Sequence, residues 1–170
     1  KLKGPYQGRG VAAGYWGNGG GPSSATASVN ADGTVSLVEG SPDIGGSRVA
    51  MAMQAAEALG ISAEEINPTV GDTDSIGFTS NTAGSGATYK TGIATIEAAQ
   101  DIKQQMIERA AKIWAITPND VEYENGILQH KSDTELKMTF KELAARLNTT
   151  GGPIVGRATT AERRNGPAFA

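Results

Sequence analysis

The sequence predicts an α+β fold, with β-hairpins and short strands in a mixed sheet packed against two long helices and one short one. Three observations carry that expectation. Alternating apolar and polar residues flank Asp32-Gly33 and again Asn125-Gly126, pairs that favour tight turns between antiparallel strands. Two segments, 48–59 and 91–115, repeat apolar residues at helical spacing. A length of 170 residues without an evident internal repeat suits a single domain spanning 1–170.

Taken in order, residues 4–23 are Gly-rich and should be irregular, because so much glycine costs backbone entropy. Tyr15 and Trp16 are the expected anchors of that stretch, packed on a neighbour. Ala25, Ala27 and Val29, then Val35 and Leu37, predict strands over 24–30 and 34–40. Arg48–Leu59 reads as a helix with Val49, Ala52, Met53, Ala56 and Leu59 on its apolar face. Ser47 is its expected N-cap and Gly60 its stop. Ser62-Ala63-Glu64-Glu65 has capping-box spacing and predicts one turn before a strand at 66–71.

Thr91–Ala115 predicts the longest helix, with a stripe of Ile93, Ile96, Ala99, Ile102, Met106, Ala110 and Ile113. Asp101, Lys103, Glu108 and Lys112 fall mostly off that stripe and predict a solvated face. Val121 and Tyr123, Asn125-Gly126, then Ile127 and Leu128 make the second hairpin. Thr139-Phe140-Lys141-Glu142 opens a short helix through Leu143 and Leu147, and Ile154-Val155 a last short strand.

Composition narrows the function. A net charge of −3 with no basic block argues against nucleic acid as a main partner, and no apolar run is long enough to cross a bilayer. Absence of cysteine removes disulfides, thiolate nucleophiles and Fe–S ligation from this chain. A single histidine, His130, leaves no clustered His metal site, and its polar neighbours predict a solvated surface residue. With 38% apolar residues and 23 glycines, the composition fits one lobe of a larger body better than a self-sufficient domain.

The chemistry concentrates in Gly71–Gly92. An acidic turn, Asp72-Thr73-Asp74, leads into a polar loop and then Ala83-Gly84-Ser85-Gly86-Ala87-Thr88, small residues that open a helix. Bare backbone admits an extended ligand closely, and the first turn of a helix presents free N–H groups that suit phosphate. A second small-residue turn, Gly45-Gly46-Ser47-Arg48, opens the other helix. The two bends are read as a cradle for a phosphate-bearing ligand. A loose Gly/Ser loop ahead of an ordinary helix is the competing account. Asp72 and Asp74 read as turn caps rather than an acid/base pair.

Four stretches in this order resemble the molybdenum-binding subunit of the molybdenum hydroxylases, the xanthine dehydrogenase and aldehyde oxidase family. They are 30–37 (Asn-Ala-Asp-Gly-Thr-Val-Ser-Leu), Asp43-Ile44-Gly45-Gly46 with 55–61, Gly71-Asp72-Thr73-Asp74, and Thr82–Thr88. The resemblance implies one lobe of a molybdopterin-binding domain, with the molybdenum cofactor expected in its cytosine dinucleotide form. It implies that Gly45, Gly46, Ser47 and Arg48 approach the pterin. Ala83, Gly84, Ser85, Gly86, Ala87 and Thr88 would contact pterin and phosphate, with Thr82 and Ala83 toward the substrate. Implied partners are the remainder of the molybdenum subunit and Fe–S and flavin (FAD) subunits, with water-dependent hydroxylation of an aldehyde or N-heterocycle as the reaction.

Two departures stand out. The family's Gly-Gln-Gly is here Gly45-Gly46-Ser47, and no Gly-x-Gly-Glu supplies a general base, so no catalytic and no metal-ligating residue is assigned. The chain is therefore expected to be part of a larger subunit and inactive alone. A non-catalytic lobe retained for assembly is the second reading. A free-standing phosphate or nucleotide module is the third, weakened by the absence of a P-loop or Rossmann fingerprint. Bacterial members of the family occur in cytoplasm and periplasm, and cytoplasm is the expectation here.

Overall fold

The computed structural model describes residues 4–14, 19–72, 74–84 and 86–161, so Tyr15, Trp16 and Ser85 lie outside the described residues. Its elements are strands β1 (Ser23–Val29) and β2 (Val35–Glu39), helix α1 (Ser47–Leu59), and strand β3 (Ile66–Val70). Helix α2 (Gly92–Trp114), strands β4 (Val121–Glu124), β5 (Ile127–His130) and β6 (Lys137–Thr139), helices α3 (Phe140–Ala144) and α4 (Leu147–Thr150), and strand β7 (Val155–Thr160) follow. The mixed α+β class read from the sequence is the class observed.

Sheet order is β3-β2-β1-β7 in the larger sheet and β4-β5-β6 in the smaller. β1 pairs antiparallel with β2 and with β7, whereas β2 and β3 are parallel, joined by the crossover through α1. Alternation sends Ala25, Ala27, Val29, Val35 and Leu37 into the core beneath α1 and α2. The first hairpin is closed by a longer loop than a two-residue turn. Asn30 and Thr34 pair across it, Gly33 takes φ 90°, and the Asp32 carboxylate accepts the N–H and hydroxyl of Thr34. The second hairpin is the tight form its Asn-Gly predicts, with φ 49° at Asn125 and 73° at Gly126.

Helix α1 is turned relative to the expected face. Met51, Ala52, Ala55, Ala56 and Leu59 are buried, while Val49 and Met53 are 60% and 59% exposed. Alanines let the helix lie close to both sheet and α2, so the close contact selects small side chains over the larger ones. The stripe of α2 departs in the same way. Ala99, Ile102, Met106 and Ala110 are buried, but the innermost line also takes Ala94, Thr95, Ala98 and Ala111, leaving Ile93, Ile96 and Ile113 half-buried.

Close backbone approach fixes α2 on the sheet. A Cβ added at Gly156 of β7 would run into the carbonyl of Ala98, which only a bare Cα avoids. The two turns Gly60 and Asn125-Gly126 meet similarly: a Cβ on Gly60 would lie 2.5 Å from the Gly126 nitrogen. Tyr123 adds a bond from its hydroxyl to the Leu59 carbonyl at 2.6 Å, tying the small sheet to the end of α1.

The end of the chain departs from expectation at three places. The capping box Thr139/Glu142 is present, but the helix it opens breaks after Ala144 and resumes at Leu147. β6, unmarked by alternation, precedes it. β7 runs to Thr160 rather than ending near Val155, because it completes the edge of β1.

Candidate functional site

Strand polarity decides where the loops collect. β2 and β3 end, and β1 begins, at one edge of the larger sheet, with Ala25 opposite Glu39 and Glu39 opposite Val70. The segments 19–22, 40–46, 71–72, 74–84 and 86–91 therefore lie along that edge, beside the starts of α1 and α2. Hydrogen bonds hold them together. Thr91, fully buried, joins hydroxyls with Ser23 at 2.8 Å and with Ser41 at 2.5 Å. The Ser80 amide donates to the Pro22 carbonyl at 2.9 Å, and the Gly19 amide to the Gly84 carbonyl at 2.5 Å.

The first bend does not present its amides. Asp43 Oδ1 accepts the N–H groups of Gly45 (3.0 Å), Gly46 (2.8 Å) and Ser47 (3.1 Å), so its carboxylate seals the start of α1. The bond from Gly45, helped by those from Gly46 and Ser47, holds this carboxyl below the usual range. Ser47 is thus the first helical residue rather than the cap. Gly46 takes the capping position in a left-handed conformation (φ 92°). What the bend offers a ligand is bare surface: Gly45 (φ 113°) and Gly46 face open space, with no atom within 4 Å of where a Cβ would stand.

Arg48 follows. Its Nε is buried without a hydrogen-bond partner among the described residues, 4.0 Å from Asp43 Oδ2. Glu39, buried at the end of β2, accepts the Ser41 N–H at 2.6 Å, and burial pushes its carboxyl above the ordinary value.

In the second bend Ala83, Gly84 and Thr88 are exposed, whereas Gly86 and Ala87 are buried. Gly86 packs on Gly19 so tightly that a Cβ would strike the Gly19 carbonyl, and its own amide is bonded to the Ala83 carbonyl. Thr82 Oγ1 is buried and unpartnered among the described residues. A π-helical turn over Ala87–Thr91 then leads into α2. Of the residues expected to touch a ligand, the accessible ones are Gly45, Gly46, Arg48, Ala83, Gly84 and Thr88, with Thr82 half-buried among them.

Two residues singled out for their chemistry have structural roles. Asp72 Oδ1 accepts the amides of Asp74 and Ser75 as a turn cap. His130 Nδ1 accepts the amides of Ser132 and Asp133. The sequence reading missed three contributors. Asp43 was legible as an Asx cap ahead of Gly-Gly-Ser. The Ser23–Thr91–Ser41 hydroxyl chain and the buried Lys90 have no local signature, being joined only by the fold.

The edge thus brings open glycine surface and two helix starts together with two buried groups, Arg48 Nε and Thr82 Oγ1, that make no hydrogen bond among the described residues. The chain belongs to the molybdopterin cofactor-binding domain family, whose model matches residues 3–170. Among solved structures it is similar to the Cu,Mo-CO dehydrogenase in its carbon monoxide reduced state, at 28% identity and TM-score 0.73 over 82% of this chain. The reconstituted CO dehydrogenase from Oligotropha carboxidovorans matches at 29% identity and TM-score 0.70, also over 82% of this chain. The quinoline 2-oxidoreductase from Pseudomonas putida 86 shares the fold at 20% identity and TM-score 0.68 over 83%. This chain spans only 18% of each of the CO dehydrogenase chains and 19% of the quinoline enzyme chain. Among the described residues no helix is long and apolar enough to cross a membrane.

Proposed function

We propose that this chain forms one wall of the cofactor cleft of a molybdenum hydroxylase and acts as part of a larger catalytic body. One observation carries the reading: Arg48 Nε and Thr82 Oγ1 are both buried without a hydrogen-bond partner among the described residues, Arg48 directly after the open glycines of the first bend and Thr82 at the start of the second. Buried donors are normally hydrogen-bonded, so two left without such bonds in these bends call for acceptors from outside. Pterin and phosphate oxygens have that chemistry.

In this reading Gly45 and Gly46 give the ligand van der Waals contact, because neither carries a side chain to hold it off. Arg48 donates from the start of α1. Thr82 donates from the second bend, and Ala83, Gly84 and Thr88 line the way toward the substrate. The bound cofactor would supply water-dependent hydroxylation of an aldehyde or N-heterocycle. The protein supplies orientation and exclusion of water. The cofactor is read in its cytosine dinucleotide form, and the base and the Fe–S and flavin components are assigned to other parts of the assembly. Absence of Gln at position 46 and of Gly-x-Gly-Glu favours, as a second reading, a lobe kept for assembly rather than turnover.

The test is metal and pterin analysis of the complete gene product purified with its co-purifying subunits, beside Gly46→Val and Thr82→Val. Stoichiometric molybdenum and pterin in the parent, reduced in both variants at unchanged melting temperature, is expected. An active parent without molybdenum or pterin would overturn the proposal. Full loading in a complex whose turnover is indifferent to this chain's variants would select the assembly role.

A further inference from the structure

Lysine is almost never fully buried unless its charge is paired. Lys90 is 3% exposed, and among the described residues its ammonium bonds uncharged oxygens. Nζ donates to the Ser80 carbonyl at 2.8 Å, the Ser80 hydroxyl at 2.7 Å and the Asn81 carbonyl at 2.6 Å. All three protons of one ammonium are thus spent on two consecutive residues of the site loop. We propose that Lys90 is a positioning residue for the ligand at this edge: its ammonium clips residues 80–81 to the turn before α2 and so sets where Thr82 and Ala83 stand. The inference rests on the cofactor-cleft reading for what the ligand is.

The loop closed by these bonds, 80–90, contains every residue of the second bend. Beyond the ammonium, the Ser80 N–H bonds the Pro22 carbonyl and the Gly84 carbonyl accepts the Gly19 N–H. Between Ser80 and Gly84, Asn81 is exposed and the Thr82 hydroxyl has no hydrogen-bond partner among the described residues, so the bond from the ammonium to the Asn81 carbonyl is what ties this stretch to the turn before α2. Lys90 itself stands on the π-helical turn, a wider turn than the α-helix makes and one that recurs at functional sites. A compact ammonium with three divergent donors can gather a carbonyl, a hydroxyl and a second carbonyl, which no neutral side chain of that length does. Burial pulls its pKa below the ordinary lysine value, the cost of keeping that charge inside.

Lys90→Met keeps the apolar stem and deletes the ammonium, and Lys90→Arg keeps a cationic donor. Both are made in the complete protein with its subunits. Amide hydrogen exchange is followed in peptides covering 78–86, with 23–39 and 95–110 as references, alongside molybdenum and pterin content. In Lys90→Met, exchange at 78–86 should rise about tenfold while the reference peptides hold, as for loss of a charge-assisted bond. Cofactor content should fall with it. Lys90→Arg should recover part of both. Parental exchange in Lys90→Met, or raised exchange with full cofactor content, overturns the inference. A parent protein devoid of molybdenum and pterin strikes instead at the cofactor reading, and the exchange measurement still decides whether the ammonium holds the loop.

Discussion

Thr91→Val tests whether one buried hydroxyl holds the site edge together. The substitution preserves shape and removes the oxygen that links Ser23 and Ser41. Ser23 keeps a weaker partner in Thr79 Oγ1 at 3.3 Å, but the fully buried Ser41 hydroxyl loses the hydrogen bond it makes here. A buried polar group left unsatisfied costs about 1–3 kcal/mol, so a loss of about 2 kcal/mol is expected. For a domain of this size that corresponds to a fall in melting temperature of about 4–8 °C by scanning calorimetry. Thr91→Ser is the control, since it keeps the hydroxyl and gives up one methyl at about 1 kcal/mol. The valine variant must therefore be the less stable of the two. A valine variant that melts with the parent, or a serine variant that melts lower than valine, would refute the role assigned to the hydroxyl.

Glu39→Gln probes the charge beneath that edge. Burial raises the Glu39 pKa in the fold above its usual 4.5, so the folded state binds more protons and stability declines as pH rises through the raised value. The glutamine variant should melt above the parent near neutral pH and converge with it as pH drops below the ordinary carboxylate range. The opposite order at neutral pH would count against it. Gly60→Ala addresses the junction of the two sheets. With φ 65° and the Asn125-Gly126 backbone 2.5–2.7 Å from a Cβ, it should cost at least about 2 kcal/mol in chemical denaturation. A neutral effect would mean that the two turns are not in contact.

How much of this was legible before the structure depended on range. The turns at Asn125-Gly126 and Gly60 and the capping box at Thr139 were readable because each is set by a few adjacent residues. The face of α1 was misjudged at Val49 and Met53, since side-chain size is visible in a sequence and interhelical distance is not. Packing that close rewards Ala55 over Met53. Strand β7 was cut short at Val155 because 156–160 carries no alternation of its own and is a strand only by pairing with β1. At the site, the two small-residue bends were found by composition, and the α+β lobe that carries them was foreseen. Asp43 taking the amides of the first bend was missed, although Asp-x-Gly-Gly-Ser is a local signal. Lys90 was beyond reach, since nothing adjacent to it in sequence foretells burial.

The parallel pairing of β2 with β3 sets the candidate site at one end of the larger sheet and the 30–34 turn at the other. Turns at 30–34 and the start of β3 lie opposite the gathered loops. A reporter can therefore be installed there without disturbing ligand contacts. Ala31 is exposed at that end and the chain has no cysteine, so Ala31→Cys gives this segment a single thiol for a dye. Fluorescence from that handle would report on this end of the sheet while leaving the opposite rim untouched.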